Sequence, residues 1–216
     1  MNLTIQHLLK FEVLFWDFDG VIKDSVYAKT EAFVDLFKDS SPEVKNKIKL
    51  HHEANGGMSR FEKIPLYMEW SDYQDINVST INEHADRYSK IVFNKVVNSK
   101  WVEGVLEYIM KYKKNQKMYL ITATPQIEIE NILKYLQISD LFIQVFGHPS
   151  SKVKVIQDIL LGTKIKEDKS CMIGDSLTDL NAAKENHIPF VLRLTDYNRD
   201  LKNNYTSIYF ERLTHG

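Results

Sequence analysis

The sequence predicts an α/β protein: a doubly wound parallel sheet with a small all-helical segment inserted after its first strand. Three observations carry this. From Trp101 onward, short continuous apolar runs alternate with stretches of helical periodicity, the pattern of strands buried on both faces and their crossover helices. One further apolar run, Phe11–Trp16, stands alone near the N-terminus and is broken only by Glu12. Between it and the rest, Pro42 to about Asn98 shows helical patterns and no convincing strand.

Taken in order, Met1–Lys10 is short and mixed, an arm or one or two helical turns. Phe11–Asp17 is the first strand. Ser25–Lys38 places Val26, Ala28, Ala32, Phe33, Leu36 and Phe37 at helical spacing. Asp39-Ser40-Ser41-Pro42 reads as a stop, an N-cap and a first-turn proline. Helical segments follow at Pro42–Ala54, Arg60–Trp70 and Asn77–Val97, separated by Asn55-Gly56-Gly57 and by the polar stretch Ser71–Asp75. Val105–Tyr112 is a helix and Lys117–Thr122 a strand. Pro125–Leu136 is a helix, with Thr124 expected as its N-cap and Pro125 in its first turn. Leu141–Phe146 is expected as a strand, Ser151–Leu161 as a helix, Ser170–Gly174 as a strand, Asp179–Asn186 as a helix and Ile188–Leu194 as a strand. Ser207–Phe210 adds an edge strand. No internal repeat or low-complexity segment interrupts the series.

Composition bounds the function. A hydrophobic fraction of 44% supplies a sizeable core for a soluble domain. A net charge of −1 gives no bulk electrostatic case for nucleic acid or an anionic membrane. The single cysteine, Cys171, excludes an intramolecular disulfide framework and fits a reducing compartment. Met1–Lys10 lacks the pattern of a signal peptide, and no apolar run reaches transmembrane length. A cytoplasmic protein is the expectation; monomer and homodimer both stay open.

The chemistry gathers where strands end. Asp17 and Asp19 follow the first strand, two residues apart. Two ionised carboxylates ~4 Å apart repel by roughly 4 kcal/mol at an effective dielectric near 20, so a plain turn has no use for them there. Gly20 lets the chain turn sharply past whatever they hold. Thr122 and Thr124 end the Lys117 strand, Asp175 ends Ser170–Gly174, and Asp179 lies one helical turn further. Lys152 follows the turn after the Leu141 strand. In open α/β sheets ligands bind at the carboxyl ends of the strands. Four acids brought together there need more counter-charge than one lysine supplies, and Mg²⁺, a hard oxygen-seeking cation, fits best. Mg²⁺ held by carboxylates points to a phosphoryl substrate and to phosphoryl transfer.

The ordered set DFDGV (17–21), ITAT (121–124), Lys152 and GDSLTD (174–179) resembles the haloacid dehalogenase superfamily of phosphohydrolases. The resemblance covers most of the chain and implies a Rossmann-like core over residues 1–23 and 100–216, with a C1-type helical cap over residues 24–99. It implies Asp17 as the nucleophile that forms an aspartyl-phosphate. Asp19 would protonate the leaving oxygen and then deprotonate water, with its backbone carbonyl on the metal. Thr122, with the backbone amides of Gly20 and Ala123 beside the phosphoryl group, would bind substrate. Lys152 would neutralise charge on nucleophile and phosphate. Mg²⁺ would be held by Asp17, Asp19 and Asp175, with Asp179 completing or supporting the set. The implied reaction is Mg²⁺-dependent hydrolysis of a small phosphorylated metabolite, a sugar phosphate or a phosphoglycolate-like compound.

Plainer readings stand beside these. The aspartates suit turns and helix N-termini, Thr122 suits a strand end, and Lys154 competes with Lys152, which here lacks the proline that usually follows it in the family. In the insert, Arg60 after the pliable Asn55–Ser59 loop suits recognition of the non-reacting part of the substrate; its plainer reading is a solvated helix start. Lys23 is expected either to face the site or to be solvated. His51, His52 and His148 lack metal-ligand spacing. The sugar phosphomutases of the family carry a histidine a few residues after the first motif, where Ala28 stands here; its loss favours hydrolysis over the mutase alternative. A dehalogenase would dispense with Asp19, and a non-catalytic binding protein would have no physical reason to keep the acid cluster.

Overall fold

The computed structural model of the chain describes residues 5–205 and 208–214. A short helix, α1 (Ile5–Leu8), leads into β1 (Val13–Trp16). The chain leaves the sheet through β2 (Lys23–Asp24), runs through helices α2 (Val26–Leu36), α3 (Pro42–Ala54), α4 (Arg60–Trp70) and α5 (Val78–Val97), and returns through β3 (Lys100–Trp101). Helix α6 (Val105–Tyr112), β4 (Lys117–Pro125), α7 (Gln126–Tyr135), β5 (Gln144–His148) and α8 (Lys152–Thr163) follow. The last elements are β6 (Ser170–Gly174), α9 (Leu177–Glu185), β7 (Phe190–Arg193), α10 (Arg199–Tyr205) and β8 (Tyr209–Phe210). Of the expected termini, Met1–Thr4 and Ser207 lie outside the described residues.

Six parallel strands form the sheet in the order β5-β4-β1-β6-β7-β8. β1 is buried along its whole length. Its alternating side chains feed two cores. Leu14 and Trp16 join the apolar cluster that continues into α2–α5, while Val13 and Phe15 pack with Tyr119, Ile156 and Met172. The strand order reverses at β1, between β4 and β6, which creates the crevice where such sheets bind ligands.

β2 and β3 pair antiparallel, Lys23 with Trp101 and Asp24 with Lys100, and so join the two crossings between sheet and helices. Lys23 neither faces the site nor meets solvent. It is buried, donates to the carbonyls of Val97 (3.2 Å) and Ser99 (2.5 Å), and lies 4.3 Å over the Trp101 ring. The ammonium is used to tie the crossings together.

Three boundaries differ from those expected. Leu141 and Phe142 do not open a strand: Ser139–Leu141 is a 3-10 turn, and both apolar side chains plug the larger core before β5 starts at Gln144. Thr124 does not cap α7. β4 runs on to Pro125, which pairs with His148 and is itself the N-cap residue without a side-chain bond. The Thr124 hydroxyl is taken by Asp19 instead. At α9 the helix starts two residues earlier than expected, because Ser176 and Asp179 form a capping box.

Candidate active site

The register places the site residues. Trp16 pairs with Leu120 on one side and Ile173 on the other, so Asp17, Thr122 and Asp175 emerge together at the strands' carboxyl ends. One oxygen each of Asp17, Asp175 and Asp179 lies within 4.8 Å of the others. Lys152, first residue of α8, reaches in with its Nζ 3.2 Å from Asp17 Oδ2 and 2.5 Å from Asp179 Oδ1. Lys154 points elsewhere, to an exposed pair with Asp158.

Each carboxylate is held differently. Asp17 Oδ1 accepts from the Phe18 backbone N–H at 2.8 Å. Asp179 Oδ2 accepts from the Ser176 N–H (3.1 Å) and hydroxyl (2.6 Å), which fixes its orientation. Asp175 receives no side-chain or backbone hydrogen bond on its carboxylate from the described residues; only its carbonyl is engaged, by Asn198. Gly20 makes room for it. Its φ is +76°, and a Cβ there would fall 2.0 Å from Asp175 Oδ2, so only glycine lets the first turn approach so closely.

Asp19 is turned away from this cluster. Its Oδ1 accepts from Ser25 (2.6 Å), and its Oδ2 from Lys29 (2.5 Å) and Thr124 (3.0 Å). Its carboxylate is therefore not one of the grouped acids. Lys29, unassigned in the sequence reading, is the functional-looking residue that reasoning missed. Ser25 and Lys29 stand four apart on one face of α2, and that spacing beside the first motif was the available signal. It is Lys29, not its neighbour Ala28, whose side chain meets Asp19.

The electrostatics follow from burial and these partners. Burial pushes the Asp17 carboxyl up to about 7; Lys152 opposes the shift, and Asp179 and Asp19 add to it. Asp175 is raised well above the usual carboxylate range by burial and by Asp17 and Asp179. Burial also works to raise Asp19, but Lys29 and the hydroxyls of Ser25 and Thr124 outweigh it and hold Asp19 low. Lys152 is raised although burial opposes its charge, because Asp17 and Asp179 flank it. Ionised together, the three grouped acids would exceed the one ammonium, which is why burial holds Asp17 and Asp175 up. The unbonded carboxylate of Asp175, beside two more oxygen donors, fits a hard divalent cation such as Mg²⁺.

The inserted helices close over this end of the sheet. A cavity of about 320 Å³ remains between Asp175–Thr178 and the loop Asn55–Met58. Gly57 presses on the site loop so closely that a Cβ would lie 1.9 Å from Thr178 Oγ1. Phe61 stacks on His148 at 5.2 Å. Arg60 is buried, and its guanidinium is held in a fork by Glu128 of α7 (2.8 and 2.5 Å), with Ser89 at 2.6 Å and the Tyr88 ring 4.5 Å away. Thr122 is buried, and its hydroxyl accepts from the Thr124 N–H at 3.2 Å; Ala123 lies between them.

These features define a doubly wound α/β protein with its site at the switch point of the sheet. Within that class the chain belongs to the haloacid dehalogenase-like hydrolase family, whose model matches residues 13–192. No curated protein matches the sequence. Solved structures similar to it include a predicted phosphoglycolate phosphatase from Haemophilus somnus 129PT (TM-score 0.76, 15% identity, 94% of this chain and 95% of that one). CbbY from Rhodobacter sphaeroides, in complex with xylulose-(1,5)bisphosphate, is similar at TM-score 0.74 and 13% identity, over 94% of each chain. A β-phosphoglucomutase from Clostridium difficile is similar at TM-score 0.68 and 19% identity, over 92% of this chain and 90% of that one. No described helix is long and apolar enough to cross a membrane.

Proposed function

We propose that the protein is a Mg²⁺-dependent phosphatase that hydrolyses a small phosphorylated metabolite through an aspartyl-phosphate on Asp17. The observation that carries this is the grouping of Asp17 with Asp175 and Asp179, Lys152 bridging Asp17 and Asp179, with Asp19 held apart in its own hydrogen-bond set. Similar structures, one named as a predicted phosphoglycolate phosphatase and one solved in complex with a sugar bisphosphate, support a phosphate ester as substrate.

In this reading an Asp17 carboxylate oxygen attacks phosphorus and the bond to the leaving oxygen breaks; Asp19, ionised at rest, first takes a proton from solvent and gives it to that oxygen. Asp19 then takes a proton from water, whose oxygen attacks the phosphoryl group, and Asp17 leaves with the electron pair of its P–O bond. Lys152 offsets the charge of Asp17 and of the phosphoryl oxygens. The Thr122 hydroxyl and the amides of Gly20 and Ala123 orient the phosphoryl group. Mg²⁺, held by Asp17, Asp175, the Asp19 carbonyl and, directly or in support, Asp179, would supply charge neutralisation to the acids and the phosphate. The helices between β2 and β3 serve as a cap that excludes water. Arg60 seats that cap on α7, and it reads substrate only by exchanging Glu128 for it. A single buried cysteine suits a cytoplasmic setting.

Phosphate release from a panel of phosphorylated metabolites, with Mg²⁺ and with chelator, tests this. Mg²⁺-dependent release from a few related compounds is the expected result. No release from any, with interconversion of sugar monophosphates once a bisphosphate is added, would replace the phosphatase with a phosphomutase.

A further inference from the structure

The cations of the inserted helices nearest the site are already committed within the chain. Lys29 pairs with Asp19 and Arg60 with Glu128. Lys63 is buried, with its Nζ 2.9 Å from His52 Nδ1. None of the three offers a free charge to a ligand.

The cavity of about 320 Å³ beside the acid cluster is just as poor in positive charge. Asp175 forms part of its wall, together with the loop Asn55–Met58 and residues of the segment Thr195–Leu201. No Lys, Arg or His lines it. Its charged wall residues are all acids: Glu53 near the end of α3, Asp175, and Asp200 of α10. Glu53 is half-buried, and its Oε1 is buried and accepts no hydrogen bond. The rest of the polar wall is neutral hydroxyls and amides, among them Thr178 and Asn181. A second negative group placed here would lose hydration and meet only carboxylates. A hydroxyl or an ammonium would find acceptors.

We propose that this cavity is the subsite for the non-reacting part of the substrate, and that it selects a phosphate monoester of a polyol or an amino alcohol over one that carries a second acidic group, with Glu53 as the specificity-determining residue. The inference rests on the phosphatase reading of the same site. Positive charge is supplied where the phosphoryl group is held, by Lys152 between Asp17 and Asp179, and is withheld where the leaving group lies. The volume, at the lower end of the roughly 300–1,000 Å³ usual for small-molecule pockets, suits a part of a few heavy atoms. The space is present with the inserted helices as they stand, so no rearrangement is needed to reach Glu53. Phosphoglycolate-like compounds and sugar bisphosphates are thereby disfavoured, and sugar or polyol monophosphates retained.

Binding without turnover tests this. Three phosphonates of equal chain length, 3-aminopropylphosphonate, 3-hydroxypropylphosphonate and 3-phosphonopropionate, are titrated calorimetrically in Mg²⁺ against wild type, Glu53→Gln and Asp200→Asn, with inorganic phosphate as reference. Wild type is expected to bind the amine and the alcohol more tightly than the carboxylate. The amine should lead the carboxylate by about tenfold, because attraction and repulsion at one half-buried acid both widen the gap. Glu53→Gln keeps the side-chain shape and removes the charge, so the gap should shrink to about threefold or less. Asp200→Asn should narrow it by less, and the affinity for inorganic phosphate should hold in both variants. A carboxylate bound as tightly as the amine by wild type, or a gap that Glu53→Gln leaves unchanged, overturns the proposal. If inorganic phosphate itself does not bind, the phosphatase reading falls and this inference with it; phosphate bound with a flat ranking sinks this inference alone.

Discussion

Lys29 Nζ sits 2.5 Å from Asp19 Oδ2, and this pair separates Asp19 from the acids that cluster around Asp17. Two aspartates two residues apart in sequence thus have opposite electrostatics, Asp17 raised and Asp19 held low. An Asp19 kept ionised at rest is ready to accept a proton from water, the step that frees Asp17.

Lys29→Met should therefore slow release of Asp17 more than its phosphorylation. Loss of a positioned partner of an acid–base group is expected to lower kcat by about ten- to a hundredfold. Phosphorylated enzyme should accumulate in rapid-quench experiments, and the acid limb of the kcat–pH profile should move to higher pH as Asp19 loses its cation. Lys29→Arg should restore much of both. A loss of kcat with an unmoved acid limb would make Lys29 a packing residue only.

Asp175 has the carboxylate with no hydrogen-bond donor among the described residues, so Asp175→Asn separates metal binding from folding. The Mg²⁺ concentration for half-maximal activity should rise by about tenfold or more. In chelator the same variant should melt higher than wild type, since a buried like charge has been removed; about 2–4 °C is expected per kcal/mol for a chain of this size. A fall in melting temperature in chelator would show that the acid cluster is not self-repelling.

The Arg60–Glu128 fork joins α4 to α7 with both partners buried. Removing one partner leaves a buried charge. Glu128→Ala should cost about 3–5 kcal/mol, and the double replacement Arg60→Met with Glu128→Leu should recover most of it. A double-mutant cycle by urea denaturation measures the coupling. The same variants should admit solvent to the cap interface, read by hydrogen exchange in α7. If Arg60→Ala changes relative rates between substrates while the cycle shows no coupling, the arginine reads substrate and does not seat the cap.

Much of this arrangement was legible before any coordinates. Continuous apolar runs located β1, β4 and β6, and the residues that end them are the ones gathered at the switch point. The cap marked by Ser41 with Pro42 fixed the start of α3. What escaped was long-range. Leu141 and Phe142 look like strand residues because burial in a turn and burial in a sheet leave the same apolar signature. Thr124 looks like a cap because nothing local says that Asp19, 105 positions away, takes its hydroxyl. Lys23, read as facing the site or solvated, does neither, and only packing shows that the side chains of Lys23 and Lys63 are inside.

Lys63 also makes stability depend on pH in a specific direction. Burial, with Lys29 nearby, lowers its pKa to about 7 from the ordinary 10.5. Between these values the unfolded chain binds the proton and the folded one does not, so folding stability gains with rising pH. Below about 7 both states are protonated, and the cost of the buried charge is paid in full. The stability of wild type relative to Lys63→Met should therefore increase from pH 7 towards pH 10 in denaturant titrations. A difference that is flat or falls over this window would show that Lys63 stays charged when folded.

The most direct test of the account is to catch the phosphate on Asp17. Wild-type protein turning over p-nitrophenyl phosphate in Mg²⁺ is quenched in acid within milliseconds and mapped by peptide mass spectrometry, alongside Asp17→Asn. The account predicts a phosphorylated peptide that contains Asp17 in wild type, and neither label nor turnover in the variant. Phosphate on another residue, or near-wild-type hydrolysis by Asp17→Asn, would contradict it.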